Sequence, residues 1–216
     1  MYTYEKDRMI LTSRALVKYN LKLLVNLNVV TAFVLILFAP LLFSFELIPK
    51  EDLAKVGELY LSLIGILLFP FLPMMEERGA CKEVVYVKKL NHRWIYSLRL
   101  FMIIVLSFLL ILSVILFAEF QGGDFPFWSM AFGVWISALF FGMLGLTVAN
   151  LTCNLTAAYL IPFAYFVFEF MTKGKYTKDF FVLSLLKDSF TEKYWILLLV
   201  VIMVIFNLMI KEPSKF

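Results

Sequence analysis

The sequence predicts an all-α integral membrane protein with six transmembrane helices and an amphipathic interfacial helix ahead of them. Three observations predict it. Of 216 residues, 62% are apolar, mean hydropathy is +0.90, and the apolar residues gather into runs of spanning length. A hydrocarbon core of about 30 Å takes about 20 helical residues. Inside it every backbone amide must pair within its own segment or a closed barrel. The runs show no alternation of apolar and polar residues, which excludes a barrel.

Ahead of the first run, Arg14, Lys18 and Lys22 recur every fourth residue and stack on one helical face, with Ile10, Val17, Leu21 and Leu24 on another. Residues 1–22 so divided would lie along anionic headgroups, cations toward lipid; an ordinary solvated lead-in is the alternative. The runs predict spans at about 24–45, 59–75, 100–118, 127–149, 155–171 and 194–210, all in one domain covering 1–216. The first apolar run is too long for a signal-peptide core and no small-x-small site follows it, so it is expected in the mature protein.

Lysine and arginine assign the sides. With both termini inside, thirteen basic residues fall inside and seven outside, the sense of the positive-inside rule. The expected location is therefore the cell membrane, multi-pass, with both termini cytoplasmic. One connection, 172–193, runs against the rule with five basic residues.

The chain lacks several chemistries. No GxxxxGK[ST] phosphate loop occurs, so no ATPase centre is expected here; Lys173-Gly174-Lys175-Tyr176-Thr177 lacks the first glycine. Cys81, Cys153 and the single histidine, His92, have no metal-ligand spacing. Glu76-Glu77-Arg78 is only faintly similar to the paired glutamates of membrane-embedded prenyl-protein proteases, and one histidine cannot supply that family's later ligands. No basic domain is present to hold nucleic acid. The chain is expected not to be an enzyme, with no metal and no cofactor of its own.

Polar groups within the runs are few: Asn26, Asn28 and Thr31 in the first, Asn207 in the last, and Glu119 and Glu169 at the ends of the third and fifth. Interhelical hydrogen bonding and substrate contact both account for them. With no carboxylate expected in mid-membrane, a proton- or sodium-driven carrier is poorly supplied. On the fifth run Tyr159, Phe163, Phe166 and Phe170 follow i, i+4, i+7, i+11. A conduit wall is one reading; packing or lipid exposure is the other, since Tyr165 and Phe168 decorate the opposite side.

The order of parts resembles the permease subunits of ABC type-2 (type V) exporters over nearly the whole chain. The basic lead-in is followed by two spans and then a charged connection, Glu76-Glu77-Arg78-Gly79 through Lys88-Lys89-Leu90-Asn91-His92-Arg93. A tight break at Gly145 to Ala158, ending in the Asn154-x-x-Ala157 pattern, and a long outer segment before span six complete the likeness. In place of the family's usual Lys-Pro-Ile-Ser/Thr-Arg turn stands Lys89-Leu90-Asn91-His92-Arg93.

The resemblance implies a coupling helix that seats in a separate ABC ATPase, which would carry the ATP and magnesium. Glu76, Glu77, Arg78, Lys82 and Glu83 would set register, and Val84 and Val87 an apolar edge. It further implies a dimer with a second permease copy or paralogue, and spans one and five along the pathway, with Asn28, Thr31, Tyr159, Phe163, Phe166 and Phe170 as pathway residues. Short helices of 172–193, such as Phe180 to Leu186, would dip back toward the membrane. The implied function is ATP-driven export of hydrophobic or amphipathic cargo such as a peptide, in antimicrobial peptide export or immunity. A stand-alone non-enzymatic membrane protein, an immunity or assembly factor, is the alternative.

Overall fold

The structure, a computed structural model, describes residues 26–74 and 92–210. The expected interfacial helix of residues 1–22 and the Glu76 to Val87 coupling residues lie outside them.

Helix α1, Leu27–Leu42, starts where the Asn26 side chain accepts the Val29 amide at 3.1 Å and ends at extended Phe43. Pro40, which has no amide and crowds the preceding turn, helps to end it short of residue 45.

The second span differs from expectation. The chain turns helical at Lys50, after Pro49, and runs as α2 (Lys50–Lys55), a π-helical turn (Val56–Leu61) and α3 (Leu63–Leu68). Turns follow from residue 69, where 59–75 was expected to be helical. Pro70 and Pro73 are the physical reason: each disfavours helical backbone in the residue before it and offers no amide. The start moves forward because the polar stretch read as a connection is half inside the protein, with Leu53, Ala54 and Glu58 buried.

Among the described residues, four helices are long and apolar enough to cross a membrane. They are α4 (His92–Phe120), α5 (Phe127–Thr152), α6 (Leu155–Thr172) and α7 (Thr191–Ile210). Each covers the corresponding expected run and extends it. Helix α5 is the hub: 72% of its apolar window is buried, against 39% for α4 and 22% for α6 and α7. It packs on α3, α4, α6 and α7.

Glycines make this packing close. A Cβ on Gly65 would fall 1.8 Å from the Ala138 carbonyl oxygen, and one on Gly145 would fall 2.8 Å from that of Ala158. Small residues at such crossings let backbones approach, which drives helix association in lipid. The α5–α6 reversal takes two residues: Cys153 in the left-handed region at φ 51°, then Asn154, whose side chain caps α6 by accepting the Thr156 and Ala157 amides at 2.9 and 3.3 Å.

Three connections meet at the opposite end of α5. The Leu47 amide donates to Gln121 O at 3.2 Å, Pro49 bridges Asp124, and Lys50 pairs with Asp188. Between α6 and α7, residues 173–190 form a strap. The stretch expected as one partly inserted helix is instead two 3-10 turns, Lys178–Phe180 and Ser184–Lys187, flanking Phe181 to Leu183. Left-handed Lys178 and Asp188 interrupt helical continuation on either side, at φ 45° and 56°. Phe181, Val182, Leu183, Ser184 and Leu185 are buried, so the strap packs its middle against the helices.

Candidate functional site

Helix α1 brings two of the pathway candidates together with α6. Asn28 Nδ2 donates to the Tyr159 hydroxyl at 2.9 Å, joining α1 to α6. On α6, Phe163 stacks on Phe166 with centroids 6.3 Å apart, and Phe166 meets the Phe141 ring edge-on at 5.5 Å. Phe163 and Phe170 are exposed. Thr31 is also exposed and its hydroxyl donates to Leu27 O at 2.8 Å, a bond within its own helix. The structure thus joins Asn28 with Tyr159 and Phe163 with Phe166, and leaves Thr31 and Phe170 outward.

At the strap end lies a cluster of charges that linear reading missed. The Lys193 side chain, from the first turn of α7, is wholly removed from solvent, as is that of Glu58 in the π-helical turn, and the two form an ion pair. The ammonium also donates to Ser137 Oγ on α5 and, at 2.6 Å, to Val182 O on the strap. Ser137 Oγ donates in turn to Val182 O at 3.0 Å. The three donors of an ammonium thus meet three acceptors on three elements. Removing two charges from water costs several kcal/mol per ion, roughly, unless pairing and hydrogen bonds offset it. Every one of these contacts serves that end.

The π-helical turn places Glu58 there. A π-helical turn widens the helix by one residue and is a recurrent feature of functional sites. Here it carries Val56, Gly57, Glu58 and Leu61 into the interior together. Gly57 lies against α5, where a Cβ would meet Val134 Cγ2 at 2.3 Å, so the backbone beside Glu58 sits close enough for its carboxylate to reach Lys193.

A second carboxylate grips the strap. Glu169, fully buried near the end of α6, accepts from the Tyr165 hydroxyl at 2.8 Å and from Thr177 Oγ1 at 3.3 Å. The Val182 backbone amide faces the same carboxylate. One strap residue is therefore held through its amide by α6 and through its carbonyl by α5 and α7. Glu58 and Glu169 are both buried, Glu58 just ahead of the expected second span and Glu169 near the end of α6.

Toward the other end of α5 a neutral network ties the bundle. Asn150 Nδ2 donates to the Tyr96 hydroxyl at 3.0 Å and to Asn207 Oδ1 at 2.8 Å. Asn207 Nδ2 donates to Thr147 Oγ1 and to Met203 O, both at 2.8 Å. Asn207 thus acts as the interhelical hydrogen-bonding residue that one of the two sequence readings held.

Beside the strap, Lys50, Glu51, Ala54, Lys55, Leu185, Leu186, Lys187 and Asp188 line a cleft of about 330 Å³. Its charges are largely spoken for: Lys50 by Asp188, Lys55 by Asp52, while the Lys187 ammonium lies 4.6 Å over the Phe181 ring. Among the described residues, no three His, Cys, Asp or Glu side chains gather as a metal-ligand set.

No protein-family model matches the chain, and no curated protein or solved structure matches it either.

Proposed function

We propose that this chain is the membrane subunit of an ATP-driven exporter, working with a separate ABC ATPase and a second permease copy or paralogue to move hydrophobic or amphipathic cargo such as a peptide. The observation that supports this most is the strap. Residues 172–193 carry the five basic residues that run against the charge rule, and the fold of the strap within them, with Phe181 to Leu185 packed inward, supports an outer placement of that segment. The two-residue α5–α6 reversal adds support, being the tight break of the type-2 permease layout.

In this reading both termini and the 76–99 connection are cytoplasmic. ATP binding closes two partner ATPases, Glu76, Glu77, Arg78, Lys82, Glu83, Val84 and Val87 receive that motion, and the spans shift between two access states. The pair Asn28 and Tyr159, with Phe163 and Phe166, forms part of the cargo path.

Replacing Glu76, Glu77 and Arg78 together by alanine tests the coupling role. The expected outcome is loss of the ATPase on co-purification, or loss of cargo-stimulated ATP turnover. Unchanged association and turnover would remove the reading. A stand-alone immunity or assembly factor is favoured by the inward bonding of Lys193, Glu169 and Asn207, which knits the bundle together. Purification of the tagged chain from its native membrane without any nucleotide-binding partner would decide for it.

A further inference from the structure

We infer that Lys193, Glu58 and Ser137 form a latch, and that the strap it holds through Val182 is a lid on one end of the helix bundle, able to lift as a unit.

The first ground is where the bonds go. Lys193 and Ser137 both donate to the carbonyl of Val182, and Glu169 faces the amide of the same residue. The polar contacts into the bundle from the strap's middle thus gather on Val182, with the Leu185 amide facing Glu58 beside it. Ser137 lies ten residues past the first residue of α5, about 15 Å along the axis. Val182 therefore reaches well inside the bundle rather than resting on its rim. Leu185 seats over Gly133, where an added Cβ would meet its Cδ1 at 2.8 Å.

The second ground is the backbone at the strap's ends. Lys173, Gly174 and Lys178 at one end and Asp188 at the other have φ of 49°, 68°, 45° and 56°. Three of the four are not glycine, and left-handed backbone is unfavourable for them. Such residues persist where the surroundings over-determine them, and they cluster at switch segments. Strained ends and one polar anchor in the middle describe a segment held in place by its anchor. Its other polar contacts are those of Thr177 with Glu169 and of exposed Asp188 with Lys50, toward its two ends, and that of the Leu185 amide with Glu58, itself part of the latch.

The third ground is the chemistry of the anchor. Charges are a poor means of stabilising a helix bundle, since well-packed apolar residues do as well or better. They are a good means of specifying one arrangement, because a partly broken network is worse than none. A latch needs that all-or-none character.

The test measures exposure of the strap in the full-length chain in isolated membranes and needs no nucleotide, so it is independent of the exporter reading. Cys81 and Cys153 are replaced by serine and Ser184 by cysteine. The Ser184 hydroxyl is buried without a hydrogen-bond partner among the described residues, so this reporter removes no bond. The rate of reaction with a soluble maleimide is then compared with and without the latch. The expected result is slow labelling in the latched chain and labelling faster by about ten-fold or more in E58M/K193M, the signature of local opening. That double variant buries no lone charge, so its thermal unfolding should stay close to that of the parent. A smaller rise is expected in S137A, which keeps the ion pair and guards against a double variant that does not fold. Fast labelling of the latched chain, or equal rates in S137A and E58M/K193M, would overturn the latch. So would faster labelling accompanied by an equal fall in global stability.

Discussion

Lys193 and Glu58 show how a residue's role depends on a partner the chain brings from far away. They are 135 positions apart, and each sits at the polar edge of an apolar run. Counting charges along the sequence assigns both to connections, where a solvated charge is the ordinary outcome. Burial makes their removal asymmetric. Deleting one charge leaves the other unpaired in the interior, and K193M or E58Q should each lower unfolding stability by about 3–5 kcal/mol, read as a fall in midpoint during thermal or denaturant unfolding in detergent. Asn207 is a milder case. Its amide bonds Thr147 and Met203 and accepts from Asn150, all neutral groups. Hydrogen bonds between spans average well below about 2 kcal/mol, so N207L should cost no more than that by the same measurement. Asn207 was legible as a hydrogen-bonding residue because a lone amide in an apolar run admits few other roles. The charged pair was not, since nothing local distinguishes a buried lysine at a helix start from a wet one.

At the scale of elements, the long helices were readable from hydropathy alone, because α4, α5, α6 and α7 each have an uninterrupted apolar run. The second span was misplaced by several residues at both ends. Its signals were present: Pro49 opens a helix well, and Pro70 and Pro73 close one. Hydropathy overrode them, because the window from Leu59 onward is apolar whether helical or turned. The π-helical turn had no legible signal, being a response to packing against α5. Glycine packing yields a direct prediction here. With the Ala138 carbonyl 1.8 Å from where a Cβ would sit, G65A must push α3 off α5 and should cost about 1–3 kcal/mol in the same unfolding assay. The α6 cap gives another. Asn154 accepts two amides at 2.9 and 3.3 Å, and N154A should lower stability by about 1 kcal/mol, with N154D close to neutral.

For the whole molecule, the connections at 43–49 and 121–126 and the strap share one end, bonded to one another, while the α5–α6 reversal lies at the far end of α5. The expected sidedness can be checked with the chain's own chemistry. Cys153 is exposed, and a cysteine introduced at exposed Lys187 would report the strap end. In intact cells a membrane-impermeant maleimide should label K187C at once and Cys153 only after permeabilisation. The reverse pattern would invert the topology, and with it the cytoplasmic coupling connection. The architecture of the strap was anticipated in part. Its basic excess made it an anomaly for charge counting, and Phe180 to Leu186 are apolar enough to bury, yet the two 3-10 turns follow from backbone reversals at Lys178 and Asp188, residue types that do not announce them.

The reversal at Cys153 and Asn154 leaves the chain no slack. Two residues, one fixed in a left-handed geometry and the other clasping the start of α6, join the most enclosed helix to one with a largely open flank. Whatever tilts α6 must carry the near end of α5 along, and α5 touches α3, α4 and α7 in turn. A push applied at the outward-facing flank is therefore felt throughout the bundle.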